Sequence, residues 1–68
     1  MTQQFTPEEI AEGEWYVKTA FGIRQDARVF ERKRNLSESD VLARVKPEEK
    51  ERFLKAKDLH EKGAGRYL

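Results

Sequence analysis

Residues 13–35 read GEWYVKTAFGIRQDARVFERKRN. The fold class depends on this stretch, which is compatible with either a helix or a pair of strands. As a helix, it carries spaced apolar residues with a break at Gly22. As strands, apolar and polar residues alternate over 14–21, and a turn leads to a second strand at 27–34. The aromatic and β-branched residues of 14–21 favour a strand, whereas arginines spaced by four favour a helix. Both interpretations stay open on the sequence alone.

The segment before this stretch has the features of a helix start. Thr6 is a suitable N-cap, Pro7 fits the first helical position, and Glu9 completes a capping box. Apolar residues also stand at both positions of a hydrophobic staple around that cap. The sequence therefore predicts that the first helix begins near residue 6.

Two more helices are predicted after the stretch. Ser37 and Asp40 repeat the capping-box pattern, and Pro47 fits the first turn of a third helix. Apolar residues recur at helical spacing beyond Pro47, and Gly63 supplies a C-cap. The fold predicted is a mainly α, small three-helix domain with helices near residues 6–21, 37–44 and 47–62.

The alternative fold is α+β, with a hairpin at about 14–34 packed on the helices. In either case the chain is predicted to form one small domain over residues 1–68. A short flexible tail is expected at 63–68 because two glycines introduce it. Within that tail, Tyr67 and Leu68 are expected to fold back onto the core, with a free C-terminal segment that binds a partner as the alternative.

The composition argues against several classes of function. The chain has no cysteine and one histidine, His60, so disulfide or redox chemistry and most metal sites lack their ligands. Acidic pairs occur where helix caps and dipoles already explain them, and 68 residues do not readily enclose a substrate cavity. We therefore expect no catalytic, cofactor-binding or metal-binding residues, and a protein that is not an enzyme.

Membrane association is not expected either. The longest apolar run, Trp15 to Val17, is far too short to span a bilayer. The N-terminal residues also lack the basic and apolar regions of a secretory signal. The sequence therefore predicts a cytoplasmic protein.

Charge is distributed unevenly along the chain. Residues 1–17 carry four glutamates and no base, which gives −4, whereas residues 18–34 carry six bases and two acids, which gives +4. Residues 35–68 carry eight bases and seven acids, so the sum is +1. The basic part contains a column of Arg24, Arg28 and Arg32, whose four-residue steps predict a shared face.

This basic column leads to the predicted function, a small non-catalytic regulator, inhibitor or accessory subunit that binds another protein with an acidic surface. Arginine and aromatic residues are enriched at interface hot spots, and arginine pairs bidentately with carboxylates. The predicted partner-binding residues are Arg24, Arg28, Arg32, Lys33, Arg34, Trp15, Tyr16 and Phe30.

Three other interpretations of the column are kept. The main alternative is sequence-tolerant nucleic-acid binding through residues 24–34, with arginines on phosphates and aromatics stacked on bases. Another is association through a different surface, including a homodimer that shares the aromatic residues. A third is a merely solvated face, in which Arg28 and Arg32 form weak surface pairs with Glu31.

Overall fold

The computed structural model describes residues 4–65, and within that range the chain forms three α-helices and no strand. A five-residue π-helical turn extends the first helix, and a short 3-10 turn precedes the third. In chain order the elements are α1 (Pro7–Asp26), the π-turn (Ala27–Glu31), α2 (Glu38–Arg44), the 3-10 turn (Pro47–Glu49) and α3 (Lys50–Glu61). The mainly α prediction is confirmed, and the alternative hairpin at 14–34 is wrong.

Helix α1 runs through the stretch that was ambiguous in the sequence. Its inward positions Gly13, Tyr16, Ala20, Ile23 and Ala27 recur at steps of three and four residues, which is the spacing of one helix face. The alternation over 14–21 that favoured a strand does not correspond to two faces of a sheet, because residues 4–65 contain no strand. The predicted break within this helix is also wrong, because a glycine in an exposed turn costs only about 1 kcal/mol.

The π-turn ends α1 with an unusual backbone. Arg32 follows the turn in the left-handed conformation, with φ 57°, and its N–H donates to the Ala27 carbonyl. Lys33 N–H donates to the same carbonyl at 3.0 Å. Asn35 is also left-handed, with φ 59°, a conformation that asparagine tolerates better than arginine. The chain therefore turns sharply between α1 and α2.

Both predicted capping boxes are confirmed. Thr6 Oγ1 accepts from Glu9 N–H at 3.2 Å, and the Glu9 carboxylate accepts from Thr6 N–H at 2.9 Å. Ser37 and Asp40 make the same reciprocal pair at 3.2 and 3.4 Å. These local bonds satisfy amide donors that the first turn of a helix leaves without partners.

The core forms where α3 packs on α1, around the buried aromatic side chain of Phe53. Phe53 is 3% exposed, and its ring centroid lies 6.1 Å from that of Trp15 and 4.9 Å from that of Tyr16. Small and β-branched residues from all three helices and the turn after α3 complete the interior. The other buried apolar residues are Ala20, Ala27, Val41, Val45, Ala56 and Ala64.

The end of α3 is held against α1 by a turn with almost no side chains. Gly63 has a positive φ of 120°. Its N–H donates to the His60 carbonyl, and the Ala64 N–H donates to the Leu59 carbonyl. This is the Schellman arrangement, and it confirms Gly63 as the C-cap. Ala64 is fully buried beside Gly13. The first three residues of the expected tail at 63–65 thus pack on α1, while residues 66–68, with Tyr67 and Leu68, lie outside the described residues.

Replacing the two glycines of α1 with alanine should have opposite effects on stability. A Cβ on Gly13 would overlap the Ala64 backbone, lying 2.8 Å from its carbonyl carbon, so G13A should destabilise the fold by about 1–3 kcal/mol. A Cβ on Gly22 would meet nothing within 4 Å, so G22A should stabilise it by about 1 kcal/mol. Urea unfolding followed by circular dichroism measures both. Equal effects of the two substitutions would contradict the close packing at Gly13.

Candidate binding surface on helix α1

Helix α1 and the start of the π-turn expose a row of two apolar and two basic residues beside the face that packs on α3. Val17, Phe21, Arg24 and Arg28 follow one another at steps of four, three and four residues, so they lie along one side of the helix. Phe21 is 57% exposed and Val17 is 38% exposed. We call these four residues the α1 stripe.

The α1 stripe borders an open groove of about 800 Å³ to which all three helices contribute. Tyr16 and Ala20 line it from α1, Glu38 from the start of α2, and His60 and Glu61 from the end of α3. The rings of Tyr16 and His60 lie 5.3 Å apart and are tilted by 39°. The groove is therefore apolar along α1 and carries carboxylates on its opposite side.

A smaller groove of about 320 Å³ continues the surface past the end of α1. Arg24 and Arg28 line both grooves, and Lys33 and Arg34 join them in the second. We call these four cations the basic end. Because the two grooves share Arg24 and Arg28, one continuous surface runs from exposed apolar side chains to concentrated positive charge.

Two carboxylates at or near this surface, Glu31 and Glu38, are paired with bases from other elements. Glu31 binds Arg44 at 2.7 Å and approaches Lys33 at 4.0 Å, while Glu38 binds Lys57 at 2.8 Å. The Arg44 guanidinium holds the pKa of Glu31 below its usual value by hydrogen bonding, and Lys57 does the same to the pKa of Glu38. The expected pairing of Glu31 with Arg28 and Arg32 is wrong, since Arg44 reaches across from α2 and takes that carboxylate.

The arginines of the column form no ion pair in the described part of the chain. Across residues 4–65, the cations that form ion pairs are Lys33, Arg44, Arg52, Lys55, Lys57 and Lys62. Neither the column arginines, Arg24, Arg28 and Arg32, nor Arg34 beside them is in this set. Their positive charge is therefore available to a ligand or partner.

Five of the predicted partner-binding residues meet on this surface. Tyr16 lines the larger groove, and the four cations form the basic end. The five are Tyr16, Arg24, Arg28, Lys33 and Arg34.

The other three predicted residues lie elsewhere. Trp15 packs on Phe53, and the Arg52 guanidinium carbon lies 3.9 Å from its ring centroid. Arg32 caps the π-turn, and Phe30, although 81% exposed, lines neither groove. The column therefore does not stay aligned beyond Arg28, because a π-turn holds more residues per turn than an α-helix.

Val17 and Phe21 belong to the surface, although neither is among the partner-binding residues predicted from the sequence. Apolar residues of α1 form two neighbouring rows, one through Tyr16 and Ala20 and one through Val17 and Phe21. Hydrophobic periodicity alone does not show which row faces α3. The step of three from Phe21 to Arg24 is the sequence signal that joins the exposed row to the arginines.

We found no family model, no curated protein and no solved structure that matches this chain. Among residues 4–65 there is no group of three or more side chains placed to hold a metal ion. No helix in the same range is both long and apolar enough to cross a bilayer. The α1 surface is therefore interpreted from its own residues.

Arg52 joins α3 to α1 through contacts with Glu12 and Trp15. Arg52 lies over the Trp15 ring and donates to both carboxylate oxygens of Glu12, with Nη2 to Oε2 at 2.6 Å and Nε to Oε1 at 2.9 Å. These hydrogen bonds lower the pKa of Glu12 from its usual value of 4.5. The pair therefore stabilises the fold above that pH and loses its effect as the pH falls through the lowered pKa.

Replacing Glu12 with glutamine should destabilise the protein in a pH-dependent way. The loss of unfolding free energy in E12Q should be full at neutral pH and should shrink below about pH 4, where the wild-type carboxylate also protonates. Chemical unfolding at several pH values measures the difference. E51Q is the control, because the Glu51–Lys55 pair is 3.6 Å long and almost fully exposed, so its effect should be small. A constant deficit of E12Q down to pH 2 would contradict the assignment.

Proposed function

We propose that this protein is a small non-catalytic binding protein that recognises an acidic surface of another protein through the α1 stripe and the basic end. The observation that carries the proposal is the presence of unpaired arginines directly beside exposed apolar side chains. Such a protein acts as a regulator, inhibitor or accessory subunit. A cytoplasmic location belongs to the same proposal and accords with the absence of cysteine.

The two halves of the surface would contribute differently to binding. Burial of Phe21 and Val17 would supply the hydrophobic part, since a fully buried side chain of this kind contributes about 1.5–3 kcal/mol. Arg24 and Arg28 would supply orientation, because a planar guanidinium can donate two parallel hydrogen bonds to one carboxylate. The positive charge of these two arginines would also repel basic partners.

Nucleic-acid binding is the second candidate, favoured by the same unpaired arginines. The larger groove argues for a protein instead, because Glu38 and Glu61 line it together with Arg24 and Arg28. A phosphate backbone laid along that groove would approach both carboxylates. A folded protein partner could place neutral or basic side chains there.

Charge reversal at Arg24 and Arg28 tests the proposal. R24E/R28E should capture at least about tenfold less partner protein from nuclease-treated host lysate than the wild type does. Its circular dichroism spectrum should be unchanged. The matched control is K46E/K50E, which reverses two cations that also form no ion pair in the described structure but lie away from the grooves.

Three results of that experiment would decide against the proposal. Equal capture by wild type and R24E/R28E would show that these arginines do not form the binding site. Equal losses in R24E/R28E and K46E/K50E would show that the effect comes from net charge and not from the site. Loss of capture after nuclease treatment would favour nucleic acid. In that case, binding of a labelled oligonucleotide should weaken steeply with added salt.

A further inference from the structure

We infer that the partner presents an α-helix to the α1 stripe, with apolar residues at one end of its contact face and paired carboxylates at the other. This inference rests on the proposed function and adds the shape and chemistry of the partner segment. It follows from the spacing of the stripe, from the order of its apolar and charged residues, and from the surroundings of the groove.

The spacing of the α1 stripe matches a helix laid alongside. Steps of four, three and four residues are those of a helix–helix seam, in which side chains of one helix fill spaces on the next. The stripe spans 12 residues from Val17 to Arg28, and its 11 steps correspond to about 16 Å at the rise of an α-helix. An occupant of three to four turns would cover it. An extended segment would need a sheet edge to extend, and residues 4–65 contain no strand.

The order of residues along the stripe defines the chemistry of the occupant. Val17 and Phe21 occupy one half of the stripe, and Arg24 and Arg28 occupy the other, one helical turn apart. Carboxylates four residues apart on a facing helix would stand at the same separation and could each accept two hydrogen bonds. Lys33 and Arg34 extend the positive charge beyond them.

A second copy of this chain is a poor occupant of the same surface. With two parallel stripes, Arg24 and Arg28 would face their own copies and repel. With two antiparallel stripes, Arg28 would face Val17 and Arg24 would face Phe21, so four guanidinium groups would be enclosed with no carboxylate from either stripe. A separate acidic helix would instead give both stripe arginines of one copy a carboxylate partner.

Selection from a random peptide library tests the inference without assuming a partner. Peptides of about 20 residues, displayed on phage, are selected on the full chain and counter-selected on R24E/R28E. Enriched sequences should place Asp or Glu four residues apart, with large apolar residues one or two turns away. Synthetic versions should gain helical circular dichroism signal on binding.

Two exposed phenylalanines provide the matched variants. F21A should weaken binding of the selected peptide by about tenfold or more, because Phe21 belongs to the stripe, whereas F30A should leave it unchanged although Phe30 is more exposed. Neither side chain belongs to the buried core, so both variants should fold. Fluorescence anisotropy titrations measure the dissociation constants.

Several outcomes would overturn the inference. They are the absence of enriched peptides, enriched peptides that bind without becoming helical, a loss in F30A equal to that in F21A, and a concentration-dependent dimer abolished by F21A. If R24E/R28E still loses capture from lysate, the proposed function stands and only the helical partner is wrong. If lysate capture is insensitive to R24E/R28E, the proposed function itself fails.

Discussion

The packing of Phe53 against Trp15 and Tyr16 is the contact on which the rest of the structure depends. It selects which side of α1 turns inward and thereby brings the end of α3 onto Gly13, where only a backbone without a side chain fits. With that side covered, the neighbouring row that includes Phe21 is left in contact with water. The exposed surface is thus a direct result of how the core is filled.

Parts of the fold that depend on nearby residues could be predicted from the sequence. The capping boxes at Thr6 and Ser37 need only residues three positions away, and the turn at Gly63 needs only a residue that accepts a positive φ. The secondary structure of residues 14–34 depends instead on tertiary contacts. Their aromatic residues satisfy strand preferences and helix periodicity alike, and only packing on Phe53 decides between them.

The candidate site was only partly predictable for the same reason. Arg24 lies in the regular part of α1, and Arg28 is the second residue of the π-turn, where the departure from α-helical spacing is still small, so the two line the same groove. Arg32 lies beyond a π-turn, and nothing in its spacing reveals that the helix widens before it. The exposed role of Phe21 was missed because two apolar rows compete for the core and their periods are identical. Periodicity shows that rows exist but not which of them is covered.

The unpaired arginines also have a kinetic consequence. The described part of the molecule extends 41 × 24 × 16 Å, and its excess positive charge gathers where α1 ends, while Glu12 and its neighbours lie towards the other end of that helix. Such a distribution orients an approaching acidic molecule before any contact forms and raises the association rate, an effect that salt suppresses. The lifetime of the complex would instead depend on Phe21, because desolvated apolar contacts are insensitive to screening. The same surface would thus govern encounter and residence with different residues.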